Sequence, residues 1–329
     1  MSNKIFSISS AFVLGASFAV ADVPKVAVDI APVHSLVSKV MNGLGKPNLI
    51  IPAEASPHEY QLRPSEAKAL QEAKLVFWIG EDLTPWLEKG LSTLAKDATI
   101  TTLLKADGIE LLDFREGALF EAHDHSDHDD HDDHDDHDHG KHKKKDDHDD
   151  HAGHEGHDHG EHDPHAWLSP GIAKVWLNLI AAKLSEVDPS NASTYFSNAS
   201  SANKDLDSLS DEINKILDPI RKEKFVVFHD AYQYFEKHFN ISASGAISLG
   251  DASDPSPARL KEIKERVEKE DIHCVLAEPQ FNEGLVKAVI EGTHANNAVI
   301  DPLGVGLEAG PTLYDKLIRN LATNLSNCF

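Results

Sequence analysis

The chain has 329 residues, of which 40% are hydrophobic and 7% aromatic, enough to fold one or two packed domains. A formal net charge of −24 argues against nucleic acid or an anionic membrane surface as partner, since both demand a basic face. Two cysteines, Cys274 and Cys328, exclude a disulfide-dense scaffold and a Cys-based zinc finger, so any metal site must draw on nitrogen and oxygen.

In chain order, Lys4 is followed by an uncharged, mostly apolar stretch from Ile5 to Val20 and by Ala19-Val20-Ala21, the pattern of a secretory signal with small residues at its cleavage point. Residues 1–21 are therefore expected to be removed and the mature chain to start at Asp22 in the periplasm. No cysteine lies near that point, so no thioether-linked lipid and no direct membrane anchor are expected. In such an oxidising space Cys274, inside the apolar run IHCVLAE, and Cys328 are expected to form a bridge that pins the last helix to a core strand.

After the signal, apolar runs alternate with helix-like stretches. KVAVDI (25–30), NLII (48–51), LVFWIG (75–80), ATITTLL (98–104) and IELLDF (109–114) read as strands. Between the first four fall helices at 33–42, 64–73 and 85–94. Such βαβ alternation implies a mostly parallel sheet covered on both faces. The pattern resumes with FVVFH (225–229), a strand near 241–248, IHCVLAE and NAVID (297–301), separated by helical stretches and closed by TLYDKLIRNLATNL. The expected architecture is α/β: an N-terminal lobe over 22–188, one long linking helix over 189–217, and a C-terminal lobe over 218–329.

Residues 121–163 interrupt the first lobe with 14 histidines, 18 acidic residues and 4 lysines, a local charge of −14. Without large apolar residues this insert has nothing to bury, and disorder is expected. Its histidines, His123, His125, His128, His131, His134, His137, His139, His142, His148, His151, His154, His157, His159 and His162, form an auxiliary set of imidazole donors, interleaved with carboxylates, that suits divalent transition metals. Capture or buffering of such ions is the expected use.

Outside the insert, His58, His165 and His229 stand just beyond strand ends or in long connections, where an α/β sheet binds its ligand. Asp301 likewise ends NAVID. Asp230 and Glu278, after strand ends, are candidates to orient an imidazole by hydrogen bonding. His34, His238, His273 and His294 have packing, capping or solvated contexts.

The motifs PVHSLV (32–37), SPHEYQLRPSE (56–66), DPHAWLSP (163–170), FVVFHDAYQYFEK (225–237), LAEPQF (276–281) and DPLG (301–304) resemble the ZnuA type of periplasmic zinc-binding component of ABC importers, within the metal-specific cluster of solute-binding proteins. The resemblance spans essentially the whole mature chain. It implies a monomeric, non-enzymatic carrier with one Zn²⁺ held between two lobes by His58, His165 and His229 and handed to the membrane permease of an ABC transporter. It leaves the fourth ligand open between Asp301, a water and Glu59, which follows His58 where Pro57 precedes it. Three imidazoles suit zinc at Zn–N distances of about 2.0–2.1 Å, whereas manganese prefers more oxygen; a manganese or iron carrier of the same fold is one alternative. A zinc-dependent hydrolase is the other alternative, although no HExxH run is present. Because imidazole must be unprotonated to bind, affinity should fall below about pH 6.5.

Overall fold

The computed structural model describes residues 23–115, 120, 162–248 and 255–329. The expected signal segment and the insert histidines His123 to His159 lie outside the described residues.

In the first lobe β1 (Val26–Val28), α1 (Ala31–Val40), β2 (Asn48–Leu49), α2 (Pro64–Glu72), β3 (Leu75–Trp78), α3 (Pro85–Leu94) and β4 (Thr99–Thr102) follow one another. The strands β1 and β3 are wholly buried, as continuous apolar runs in a parallel sheet covered on both faces should be. Pro at the first or second position starts all three helices, where the missing N–H costs nothing. The strands run parallel in the order β2-β1-β3-β4.

IELLDF is not a strand of this sheet. It crosses toward the second lobe, where Leu112 N donates to the Tyr234 hydroxyl at 2.9 Å. Asp113 forms an isolated antiparallel bridge with His162, so this run and the residues returning at 162–163 close the base of the long excursion between them.

α4 (Pro170–Val187), capped by Ser169, leads through the 3₁₀ turn Pro189–Asn191 into α5 (Ala192–Leu217). The linking segment is thus α-helical only from Ala192, its first three residues making the tighter turn. α5 buries Leu206, Leu209, Ile213 and Leu217 along one stripe, the 3.6-residue spacing of an amphipathic helix, and packs on α4 and α1.

The second lobe repeats the first: β5 (Phe225–His229), α6 (Gln233–Phe239), β6 (Gly245–Ser248), α7 (Pro257–Lys269), β7 (Cys274–Ala277), α8 (Glu283–Ile290), β8 (Asn296–Val299) and α9 (Leu313–Ser326). Its parallel order is β6-β5-β7-β8. Strand alternation divides its side chains. Val226, Phe228, Val275 and Ala277 enter a cluster with α7 and α8 residues, while Phe225, Val227, Cys274 and Leu276 enter a core shared with the first lobe. The Cys274–Cys328 disulfide, with Cα atoms 5.7 Å apart, ties β7 to the end of α9. Among the described residues no helix is long and apolar enough to cross a membrane.

Candidate metal centre

Both sheets reverse their winding direction beside the first strand of the lobe, between β1 and β3 and between β5 and β7. Ligand sites of α/β sheets form outside the carboxyl ends of the strands at such points. In the first lobe this place is filled by Asp29, whose buried carboxylate accepts from Ile30 N at 2.8 Å and Ile79 N at 2.6 Å. In the second lobe it is filled by His229 and Glu278. The pairing Phe225↔Cys274 and Val226↔Val275, carried to the strand ends, sets residue 229 beside residue 278, and strand parity turns both toward the first lobe. His229 Nδ1 lies 2.7 Å from Glu278 Oε1.

His165 reaches the same point from the other side. It precedes a 3₁₀ turn, Ala166–Leu168, that runs into the Ser169 cap of α4. Asp163 Oδ1 accepts from His165 N at 2.9 Å and holds His165 Nδ1 at 2.7 Å. His58 comes from the β2–α2 loop, which is pinned by Trp86 Nε1 donating to Pro57 O at 2.8 Å and by Tyr60 donating to Glu66 at 2.8 Å.

Each carboxylate fixes the proton of its imidazole on Nδ1, leaving the Nε2 lone pair for a ligand. Those two Nε2 atoms face one another at 3.4 Å. Two lone pairs repel at that distance unless a proton or cation lies between them. Two nitrogens on a tetrahedral zinc at about 2.0–2.1 Å stand about 3.3–3.4 Å apart. The His165 and His229 ring centroids are 5.3 Å apart and those of His58 and His165 5.7 Å, against about 5 Å for imidazoles sharing one tetrahedral ion. His58 is half-buried and stands slightly wide, and among the described residues no three His, Cys, Asp or Glu side chains close into a finished cage. Pro57, Trp167, Phe281, Pro302 and Leu303 wall the cleft, leaving a cavity of about 10 Å³, the room of one water-sized sphere.

The other candidates lie elsewhere. Asp301 is absent from the cleft lining; its carboxylate accepts from Gln280 Nε2 at 3.0 Å, Leu303 N at 3.0 Å and Val305 N. Glu59 is exposed and also outside the lining. Asp230 pairs with Arg115, which also holds Glu236 at 2.9 Å; burial pushes the Asp230 carboxyl up while Arg115 draws it down. His34 is buried against Pro47 O, His238 sits beside Ser169, and His273 and His294 are exposed. His162 of the insert pairs with Asp113 at 2.9 Å. Sequence reasoning gave no role to Asp163, although an Asp two residues before a His is the signal of an Asx turn that returns a carboxylate to that residue. It also passed over Gln280.

Residues 26–328 match the family described as the zinc-uptake complex component A, periplasmic. The chain is 47% identical over 303 residues to the high-affinity zinc uptake system protein ZnuA of Brucella abortus, covering 92% of this chain and 91% of that one. Against the protein of the same name from Paracoccus denitrificans it is 45% identical over 309 residues, with 94% and 92% covered. Among solved structures, a crystal structure of ZnuA superimposes with a TM-score of 0.72 at 22% identity, over 93% of this chain and 99% of that one. The solute-binding protein FpvC of Pseudomonas aeruginosa in complex with Mn²⁺ does so with 0.71 at 18%, over 93% and 97%; at these identities the likenesses establish the fold. By its family match and its identity to curated relatives, this chain belongs to the family of periplasmic zinc-uptake component A proteins.

Proposed function

We propose that the protein is the periplasmic zinc-binding component of a high-affinity zinc uptake system, taking one Zn²⁺ between its lobes and delivering it to the membrane permease of an ABC importer. The observation that carries this reading is the pair of buried imidazoles, His165 and His229, each held at Nδ1 by a carboxylate, with their Nε2 atoms 3.4 Å apart. His58 supplies the third nitrogen. The name of the Brucella relative, a high-affinity zinc uptake protein, points to the same ion. The signal-like first 21 residues support delivery to the periplasm, and the protein acts as a monomer that binds without turnover. A cavity of about 10 Å³ favours a bare ion over an organic substrate beside it, which weighs against a hydrolase. Nitrogen donors weigh against manganese as cargo. The histidine-rich insert collects zinc for this site.

The test uses protein lacking residues 123–160, which keeps the Asp113–His162 pair and removes the competing imidazoles. Zinc affinity is measured by chelator competition for His58→Ala, His165→Ala and His229→Ala. Each should fall at least about 100-fold, since loss of a direct ligand exceeds the 10–100-fold cost of losing the group behind one. Near-normal affinity in all three would overturn the assignment. Comparing uptake at limiting zinc with and without the insert tests its role; equal uptake rejects capture.

A further inference from the structure

The segment leaving β7 builds one wall of the cleft, and two of its side chains, Glu278 and Gln280, line it. Both carry a buried oxygen, Glu278 Oε2 and Gln280 Oε1, that makes no hydrogen bond among the described residues. Burial, with the charge of Glu278 beside it, keeps the Tyr232 hydroxyl protonated, so Glu278 has a donor at hand within its own lobe. Gln280 has none. Its orientation is not ambiguous: the end facing Asp301 Oδ1 at 3.0 Å must be the NH₂, because a carbonyl there would meet a carboxylate. The carbonyl therefore lies on the other branch of the amide, without a partner, and a buried acceptor in that state calls for a ligand or water that satisfies it.

Asp301 shows the complementary condition. With Gln280 Nε2 and Leu303 N on its Oδ1 and Val305 N on its Oδ2 it is held by three donors and is outside the lining. Gln280 therefore occupies a place in the cleft wall and ties up the nearby carboxylate at the end of β8.

We propose that Gln280 is a specificity-determining residue: its amide nitrogen withholds the Asp301 carboxylate from the cleft, and its amide oxygen gives the fourth coordination position a neutral oxygen environment. This rests on the three-histidine reading above and deepens it. Three neutral imidazoles and a neutral oxygen suit zinc, whereas a carboxylate would favour oxygen-preferring manganese. The amide oxygen contacts the ion itself or a single water on it, and in both cases the donor set carries no negative charge.

The experiment compares Gln280→Leu, Gln280→Glu and His165→Ala in the protein lacking residues 123–160. Zn²⁺ and Mn²⁺ affinities are read by competition, Co²⁺ visible absorption reports coordination, and thermal unfolding checks the fold. Gln280→Leu should lose about 10-fold in zinc affinity and change the Co²⁺ spectrum with the fold intact. Gln280→Glu, which keeps the size, removes the N–H donor from Asp301 and brings a second carboxyl beside it, should shift the Mn²⁺/Zn²⁺ affinity ratio toward manganese by about 10-fold or more. If Gln280→Leu unfolds, Gln280→Glu alone decides. Wild-type ratios and spectra in the folded Gln280 variants, with binding lost in His165→Ala, would overturn this inference and leave the three-histidine site standing. Retention of the Co²⁺ spectrum by His165→Ala would overturn that site as well.

Discussion

Asp163 and Glu278 each hold an imidazole Nδ1 at 2.7 Å from within the protein. Their loss leaves every proposed donor in place but frees the rings to rotate and to take the wrong tautomer. Asp163→Asn and Glu278→Gln should each lower zinc affinity about 10–100-fold without changing the one-ion stoichiometry, measured by chelator competition on insert-deleted protein; unchanged affinity would mean that the rings are held by packing alone. The candidacy of the three histidines was legible in the sequence, from strand ends, long connections and the motifs that carry the resemblance. Asp163 left a signal that was passed over, its place two residues before His165; Gln280 left none, because a hydrogen bond near a ligand depends on side-chain direction, which strand ends and motifs do not disclose. Asp29 was equally silent. Burial pushes its carboxyl up to about 7 from 3.8, against the pull of its backbone hydrogen bonds. Between those values the folded protein keeps a proton that the unfolded chain has released, so stability falls as pH rises from about 4 to about 7 and then levels. Relative to Asp29→Asn, which cannot titrate, the wild type should lose roughly 2–3 kcal/mol between pH 5 and pH 8. Urea unfolding of both metal-free proteins checks this, and parallel pH profiles would contradict it.

Among the elements, the existence and order of the helices and most strands followed from periodicity and proline placement, with ends displaced by a few residues; α3 occupies the stretch 85–94 that its sequence predicts. IELLDF departs from expectation because alternating apolar residues specify a half-buried extended chain, not the neighbour with which it pairs. Here the neighbours are the residue closing the insert and the α6 side chains. Tyr234 accepts from Leu112 N at 2.9 Å and donates to Asp163 O at 2.9 Å, so the base of the insert is fastened to the second lobe and to the residue that orients His165. Arg115 completes the fastening. Its guanidinium, 18% exposed, meets Asp230 and Glu236, whose side chains are 4% and 5% exposed, and stacks over Phe120 at 3.6 Å. Arg115→Met would leave two buried carboxylates unpaired, a loss of about 3–5 kcal/mol, visible as a lower urea midpoint. Adding Asp230→Asn and Glu236→Gln to that variant should recover much of it, since the neutral trio no longer buries charge without a partner. Failure of the triple variant to recover would locate the contribution of Arg115 in its contact with Phe120 instead.

Across the whole molecule, two similar βαβ lobes were expected, but the extent to which they are fused was not, because packing between distant segments leaves no local pattern. A single cluster of buried residues runs from β1 through α4 and α5 to α9. The C-terminal helix returns to pack on α1 as well as α5. Tyr314 reaches across to the first lobe: its backbone N donates to Ser35 Oγ at 3.0 Å and its hydroxyl to Trp167 O at 2.8 Å, while Trp167 Nε1 donates to Pro302 O at 2.8 Å. Lys39 and Asp315 add a partly buried ion pair at 2.8 Å. Wide opening would have to expose this shared apolar surface at about 25 cal/mol per Å² and exchange the hydrogen bonds of the buried hydroxyl and indole groups for bonds to water. Metal exchange should therefore proceed by small movements, chiefly of the loop that carries His58, which stands wider from His165 than His229 does. For insert-deleted protein, with a radius of gyration of about 18–20 Å expected for a compact chain of this length, small-angle scattering should show a change of less than roughly 0.5 Å on adding zinc. Hydrogen exchange should slow on zinc binding in residues 54–60 while α5 and α9 stay unchanged. A contraction of 1 Å or more, or altered protection along α5 and α9, would show instead that the lobes move as separate bodies around the ion.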